Sequence, residues 1–146
     1  MKITSVKLLN DGASIDWQTM QGETLVRHAV KNGTEPAPSF QAAVDELKDD
    51  VRELMEYANG YVDTVTVKGL SASYDDDGTI EASLSFTKRF KCGRAVGYST
   101  KRVRQRADQA EKGCGFMSEE LEARVKTVLK EAEGYVDGLR SQVEHP

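Results

Sequence analysis

The sequence predicts an α+β fold, in which two amphipathic helices pack on a mostly antiparallel six-stranded sheet in the order βββ-α-βββ-α. Two patterns carry this prediction. Some segments alternate apolar and polar residues, as half-buried strands do, and others repeat apolar residues every three or four positions, as helices do. Because 146 residues are one domain's worth of chain, we expect a single domain over residues 1–146.

Three strands are predicted near the N-terminus. Turn signals at residues 10–12 (Asn-Asp-Gly) and at Gln21 and Gly22 separate them. The strands are predicted around Val6 and Leu8, over residues 13–18 and over residues 24–30. Such short connections favour an antiparallel meander.

The clearest helix follows a loop at residues 31–38 that contains two prolines and a glycine. Pro38 suits the first turn of a helix, and apolar residues then recur every three or four positions over residues 40–58. Asn59 and Gly60 are typical of a helix end. The sequence therefore predicts one amphipathic helix over this segment.

The second β block is predicted to start at Val62. The apolar parity changes at Lys68 and Gly69, which indicates a β-bulge. A turn at residues 75–78 (Asp-Asp-Asp-Gly) separates this strand from residues 80–86, which alternate without a break. The sixth strand is predicted around Ala95, Val96 and Tyr98.

The last helix is predicted after a loop at residues 105–117. Ser118 is a typical N-cap residue, and Glu119 and Glu120 follow it in the first turn, where the helix dipole favours acids. An amphipathic stripe then runs from Leu121 to Leu139. Two helices cover only one face of a sheet, so we expect a homo-oligomer, with the meander at residues 6–30 as its interface.

Charge is distributed unevenly along the chain. Residues 88–106 contain eight lysine and arginine residues and no acid, whereas the whole chain has a net charge of −4. The rest of the chain therefore carries −12. An acidic body weakens non-specific attraction to nucleic acid, but a local basic stretch still suits a specific anion.

Guanidinium groups bind phosphate oxygens in a bidentate way, and aromatic rings stack on bases. On a strand, Arg102, Arg104 and Arg106 would share one face. An edge strand protected by cations, or a surface paired with the acidic helices of a second subunit, explains the same stretch. The candidate ligand-binding residues are Arg89, Phe90, Lys91, Arg94, Tyr98, Lys101, Arg102, Arg104 and Arg106.

The sequence gives no catalytic, cofactor or metal motif. Walker, GxGxxG, GxSxG, HExxH and CxxC patterns are absent, and no spacing singles out a pair of carboxylates. Read as a calcium loop, the acidic turn would need carboxylates at Ser73 and Leu84, so a turn is favoured. His28 is expected to be structural and Trp17 to pack in the core. We expect a binding protein rather than an enzyme.

No apolar run approaches the roughly 20 residues that cross a bilayer. The N-terminal segment "MKITSVKLLN" lacks the apolar core of a signal peptide. We therefore expect a cytoplasmic protein without a membrane partner, in which Cys92 and Cys114 are free thiols.

Three segments resemble small accessory proteins of bacteriophages and prophages. "LEARVKTVLKEAEGYVDGLRSQ" contains a pattern, EAE-x-Y-x-x-G-x-R-x-Q, that recurs near the end of those proteins. "PAPSFQAAVDELKDDVRELM" is similar to their central helix, and "VTVKGLSASYDDDGTIEASLSFTKRF" to their paired strands. The chain departs from them on the sixth strand, where "VGYSTKRV" replaces a polar motif with Asn, Thr and Pro.

The resemblance implies a context in the cytoplasm of a bacterial host. Such proteins are encoded beside DNA-recombination functions, and some accessory proteins sequester the cyclic nucleotide signals of host immunity. Together with the basic stretch on an acidic body, this context favours a non-enzymatic oligomer that binds a small phosphorylated ligand, namely a cyclic nucleotide signal of host immunity. The alternatives are a single-stranded nucleic-acid-binding protein of a recombination module and an inhibitor that binds a host protein through acidic helix faces.

Overall fold

The computed structural model describes residues 1–58, 64–107 and 115–144, except the side chains of residues 140–144. The predicted helix end at Asn59 and Gly60, the predicted strand start at Val62 and the thiol of Cys114 lie outside the described residues. No helix among the described residues is both long and apolar enough to cross a lipid bilayer.

The described residues form an antiparallel sheet of seven strands together with three helices. This confirms the predicted α+β class, although the predicted count of six strands is wrong. The strands are β1 (Lys2–Leu9), β2 (Gly12–Gln21), β3 (Thr24–Asn32), β4 (Val65–Tyr74), β5 (Ile80–Arg89), β6 (Ala95–Ser99) and β7 (Val103–Arg104). The helices are α1 (Pro38–Asp45), α2 (Lys48–Met55) and α3 (Glu119–Glu144).

The strand order across the sheet is β3-β2-β1-β4-β5-β6, and β7 pairs with the other end of β5. β6 and β7 therefore lie along the same edge of β5, with Thr100 between them. The backbone N–H of Thr100 donates to Leu84 O, and the Thr100 side-chain oxygen accepts from Leu84 N, each at 2.9 Å. This side-chain contact interrupts the ladder and divides the segment into β6 and β7. The sequence pattern predicted only one strand here, because no local pattern marks a bond between Thr100 and Leu84.

The predicted central helix is bent into α1 and α2. At the bend Leu47 N donates to Val44 O at 3.1 Å, a tighter turn than the α-helix has. The turn keeps both Val44 and Leu47 fully buried. α2 then ends at Met55, and its C-cap residue Glu56 adopts a left-handed conformation with φ 58°, three residues before the predicted Asn59.

The core lies between one face of the sheet and the three helices. α1 contacts β4 and α3, α2 contacts β4, and α3 contacts β1. The opposite face, which we call the open face, carries small hydroxyl side chains; Ser5, Ser71 and Ser83 are cross-strand neighbours there. The largest fully buried core side chains are Ile3, Val6, Ile15, Phe40, Val44, Leu47, Val51, Leu70, Leu84, Phe86, Val103 and Val125.

Two local predictions are confirmed. The pairing of β4 with β5 shifts register between Val67 and Gly69, so the predicted bulge is present. A Cβ atom at Gly69 would lie 1.7 Å from Val6 O, so only glycine allows β1 to approach here. Ser118 caps α3, because its Oγ accepts a hydrogen bond from Leu121 N at 3.1 Å.

Candidate functional site

The basic stretch begins in a tight hairpin between β5 and β6. Phe90 N donates to Arg94 O, and Gly93 N donates to Phe90 O, each at 2.8 Å. Gly93 has a φ of +86°, which a glycine adopts without strain. This is a three-residue loop closed by a glycine bulge, and it places Lys91 and the free thiol of Cys92 at the exposed tip.

Three aromatic rings meet on the helix-facing side of this hairpin. Tyr98 is the cross-strand partner of Phe86, and the two rings stack with centroids 5.8 Å apart. Tyr57, just after α2, meets Phe86 edge-on with centroids 6.3 Å apart. Tyr98 remains 39% exposed, so it offers a ring surface anchored on a buried neighbour.

The Lys88 ammonium lies between two aromatic rings. Its Nζ is 4.6 Å from the centroid of Tyr57 and 5.4 Å from that of Phe90. A cation over aromatic faces is held by about 0.5–1 kcal/mol per contact at exposed sites. Phe90 is 39% exposed, as Tyr98 is. The arrangement fixes one positive charge beside two exposed rings.

Further cations surround this cluster. Arg89, Lys91 and Arg94 are exposed, and none of them makes an ion pair with another described residue. Lys101 is likewise exposed, beyond the end of β6. We call residues 88–98 together with Tyr57 the hairpin site. The exposed cations Arg89, Lys91 and Arg94, together with the exposed rings, are suited to an anion that carries a flat aromatic group.

The second half of the basic stretch is different, because its arginines are paired with carboxylates. Arg102 Nη1 lies 3.7 Å from Glu81 and 3.1 Å from Ser73 Oγ, to which it donates. Arg104 pairs with Asp75, which belongs to the acidic turn between β4 and β5. Arg106 lies 3.6 Å from Glu119, at the start of α3.

The structure thus divides the predicted ligand-binding residues into two groups. Arg89, Phe90, Lys91, Arg94 and Tyr98 belong to the hairpin site, although Arg89 starts on the opposite face of β5 from Lys88 and Phe90. By contrast, Arg102, Arg104 and Arg106 face carboxylates of their own chain, and only Val103 and Arg104 of this segment lie on a strand. Lys101, exposed between β6 and β7, belongs to neither group.

Sequence reasoning did not assign Tyr57 or Lys88 to the site. Lys88 was recognisable as part of the basic stretch, and it shares the strand parity of Phe86. No sequence pattern indicated Tyr57, because its contact with Phe86 on β5 depends on where α2 ends. The pairing of Arg104 with Asp75 had a sequence signal, the acidic turn at residues 75–78. Because this turn joins β4 to β5, its carboxylates must lie near any strand that pairs with the start of β5.

The acidic helix surfaces adjoin at a cleft of about 630 Å³ between α2 and the start of α3. At its base Arg124 donates to both carboxylate oxygens of the buried Asp50, at 3.0 and 3.1 Å. Burial raises the pKa of Asp50, against the lowering effect of Arg124. The hydrogen bond to Asp50 and the attraction of its negative charge raise the pKa of Arg124. The cleft is lined by Asp49, Asp50, Arg52, Glu53, Ser118, Glu120 and Arg124.

The remaining candidates have structural partners. His28 stacks on Trp17 with centroids 5.2 Å apart, and its Nε2 lies 2.8 Å from Thr19 Oγ1. In the acidic turn Thr79 N donates to Asp77, which lowers the pKa of that carboxyl. Within the described ranges, no three His, Cys, Asp or Glu side chains gather closely enough to hold a metal ion.

Neither a protein-family model, nor a curated protein, nor a solved structure matches this chain.

Proposed function

We propose that this protein binds a nucleotide at the hairpin site and does not transform it chemically. One observation carries the proposal. Lys88 lies between the rings of Tyr57 and Phe90, next to the exposed ring of Tyr98, on a hairpin whose other cations have no carboxylate partner among the described residues.

The rings suit a base. Stacking of a nucleic-acid base on an aromatic side chain contributes about 1–3 kcal/mol. Tyr98 rests on Phe86, so its inner face is already supported and its remaining surface is free for a ligand. Phe90 lies on the other side of Lys88 and offers a second ring.

The cations suit a phosphate. Arg94 is the cross-strand partner of Phe90 at the base of the turn, and Arg89 precedes Phe90 on β5 and pairs with Ala95. Because successive side chains alternate between faces, Arg94 starts on the face of Phe90 and Arg89 on the opposite one. Each guanidinium can offer a planar pair of N–H donors to phosphate oxygens. Neither arginine forms an ion pair with a described carboxylate, so phosphate binding would not have to break such a pair.

The extent of the free charge favours a small ligand over a long strand. A single strand of DNA needs cations along several successive phosphates. Within the basic stretch, the cations without a carboxylate partner among the described residues are Arg89, Lys91, Arg94 and Lys101, since Arg102 and Arg104 already contact Glu81 and Asp75. The acidic remainder of the chain would also repel an extended polyanion. We therefore propose a ligand with few phosphates, such as a cyclic nucleotide.

Such binding would sequester the ligand. Retention of a nucleotide signal without turnover lowers its free concentration, which is the role that the resemblance to phage accessory proteins suggests. The proposal for this chain rests on the hairpin site, and the resemblance adds only the biological setting.

The first experiment is native mass spectrometry of the protein purified from bacterial lysate, before and after denaturation. A released nucleotide would identify the ligand class. Titration calorimetry then compares cyclic nucleotides, linear nucleotides, inorganic phosphate and a short single-stranded DNA. DNA binding that weakens steeply between 50 and 200 mM salt, without binding of free nucleotides, would instead favour a nucleic-acid accessory protein.

Two variants and a matched control test the site. Arg94→Ala and Tyr98→Ala should each weaken nucleotide binding about tenfold or more, because they remove a phosphate contact and a stacking ring. Arg104→Ala removes the same charge from the paired half of the stretch and should change affinity less than about twofold. Full affinity in Arg94→Ala and Tyr98→Ala, or no nucleotide binding at millimolar concentration, would refute the proposal.

A further inference from the structure

Among the described residues, nothing pairs with the outer edge of β3, which is long and straight. β3 is the first strand in the sheet order and pairs only with β2, over nine residues without a bulge. It also contains no proline. Natural edge strands are usually short, bulged or interrupted by proline, because a straight edge invites another strand to pair. β3 has none of these three features. Its edge does carry two cations, Arg27 and Lys31, which a second copy would have to accommodate.

The hairpin that joins β2 to β3 determines which backbone groups point outward. Gln21 pairs with Thr24, so the loop has two residues, and this closing pair exchanges both of its hydrogen bonds. Hydrogen-bonded and non-hydrogen-bonded pairs then alternate along the ladder. The N–H and C=O groups that face away from β2 therefore belong to Leu25, Arg27, Ala29 and Lys31, all of which are exposed.

We propose that this edge pairs with β3 of a second copy of the chain, antiparallel and centred on His28, so that two sheets join into one. The register follows from the outward groups. Only when Leu25 faces Lys31 of the second copy, and Arg27 faces Ala29, do all the outward-facing amides and carbonyls of both edges find partners. Such a contact is self-complementary about a two-fold axis, as the interfaces of most homodimers are.

Side chains on the helix-facing side fit this register. Val26 would lie beside Val30 of the second copy, and the two His28 rings would meet at the axis. These side chains are half-buried in the single chain, and Val30 already packs against the core. Pairing extends the apolar layer across the junction without exposing a new polar group.

Charges on the open face fit as well. Arg27 of one copy would lie beside Ala29 of the other, whose neighbour on β2 is Asp16. The Cα atoms of Arg27 and that Asp16 would be about 10 Å apart across two strand pairs, within reach of an arginine and an aspartate. Only the methyl group of Ala29 lies between them. Neither Arg27 nor Asp16 has an ion pair within the described part of the chain.

The same register covers the largest exposed apolar pair. Met20 and Leu25 are cross-strand neighbours that are 60% and 49% exposed. Lys31 of the second copy would lie against Leu25 and lay its methylene chain over the pair, with the ammonium in water. The opposite edge, β6, has only five residues and adjoins the cations of the β5–β6 turn, so β6 is the poorer edge for a second copy.

The test compares two proline variants at opposite edges. Ala29→Pro removes an outward N–H that β2 does not use, so the chain should fold but remain monomeric. Ala95→Pro is the matched control: Phe90 and Arg94 form the bonded pair, so the N–H of Ala95 also points outward, but from β6. We expect dimers for the wild type and Ala95→Pro, and at least a hundredfold weaker dimer for Ala29→Pro, by sedimentation velocity.

A monomeric wild type at 100 μM, or a folded Ala29→Pro that still dimerises, overturns the proposal. If Ala29→Pro does not fold, hydrogen exchange on the wild type decides. The amides of Leu25, Arg27, Ala29 and Lys31 should then be protected at high protein concentration and exchange rapidly on dilution. Rapid exchange of these amides at every concentration also overturns it. Arg27→Glu, which repels Asp16, should weaken the dimer at least tenfold.

Discussion

The buried pair between Asp50 and Arg124 allows a quantitative prediction, because its two members differ in exposure. The Asp50 side chain is 4% exposed, whereas that of Arg124 is 34% exposed. Arg124→Ala therefore leaves a carboxylate without a partner inside the protein. The reverse change, Asp50→Ala, leaves a guanidinium that can turn to water, and it should be the milder of the two.

The expected loss for Arg124→Ala at pH 7 is about 3 kcal/mol of unfolding free energy, since removal of one partner of a buried pair costs about 3–5 kcal/mol. The lower end applies because water reaches the arginine. The loss should shrink with acid. Burial already raises the pKa of Asp50 in the folded protein, and loss of Arg124 raises it further. The folded state then binds a proton more tightly than the unfolded state, so stability falls as pH rises above about 3.8.

The assay is urea unfolding followed by circular dichroism at pH 7 and pH 4. Because the pKa of this carboxyl is raised, a larger fraction of it is protonated at pH 4 than at pH 7, and the expected loss falls toward about 1 kcal/mol, the value of the missing hydrogen bonds. Lys126→Ala is the control, because it removes an exposed cation 3.4 Å from Glu122 on the same helix and should cost less than about 0.5 kcal/mol. An equal loss at both pH values, or a loss below 1 kcal/mol at pH 7, would refute this reasoning.

Two further predictions concern the strands. Gly69→Ala should destabilise the protein by about 3 kcal/mol or more in urea unfolding, because the new Cβ would overlap Val6 O, whereas Gly97→Ala meets no atom within 4 Å and should be nearly neutral. Tyr74 donates to Ile3 O at 2.7 Å, and burial raises its pKa to about 12. Stability should therefore fall as pH rises from about 10 toward 12, and Tyr74→Phe should remove that part of the pH dependence; an unchanged slope would contradict this assignment.

Periodicity predicted the elements that pack on the core. Alternation along residues 13–18 and 80–86 identified strands, because each of these strands buries one face against the helices and the pattern follows that face. The parity change at Gly69 identified the bulge for the same reason. These features depend on neighbouring residues, and the sequence shows them directly.

The sequence could not predict features that depend on contacts between distant segments. The bend at Leu47 keeps that side chain buried beneath the sheet, and the helical repeat continues through it. Thr100 separates β6 from β7 through a bond to Leu84, which no local pattern reveals. The division of the basic stretch depends likewise on which carboxylates the fold places beside Arg102 and Arg104. Composition identified the charge but not its partners.

The two proposed surfaces lie at opposite edges of one sheet, and this placement makes them independent. β3 and β6 are five strand spacings apart, or about 24 Å at the usual separation of paired strands. Pairing through β3 would leave both hairpin sites facing outward at the far ends of the joined sheet, too far apart to share one small ligand. Each chain would bind its own nucleotide, and neither copy would contribute a residue to the other's site. A failure of assembly would therefore leave the binding proposal intact, and a failure of binding would say nothing against the β3 edge.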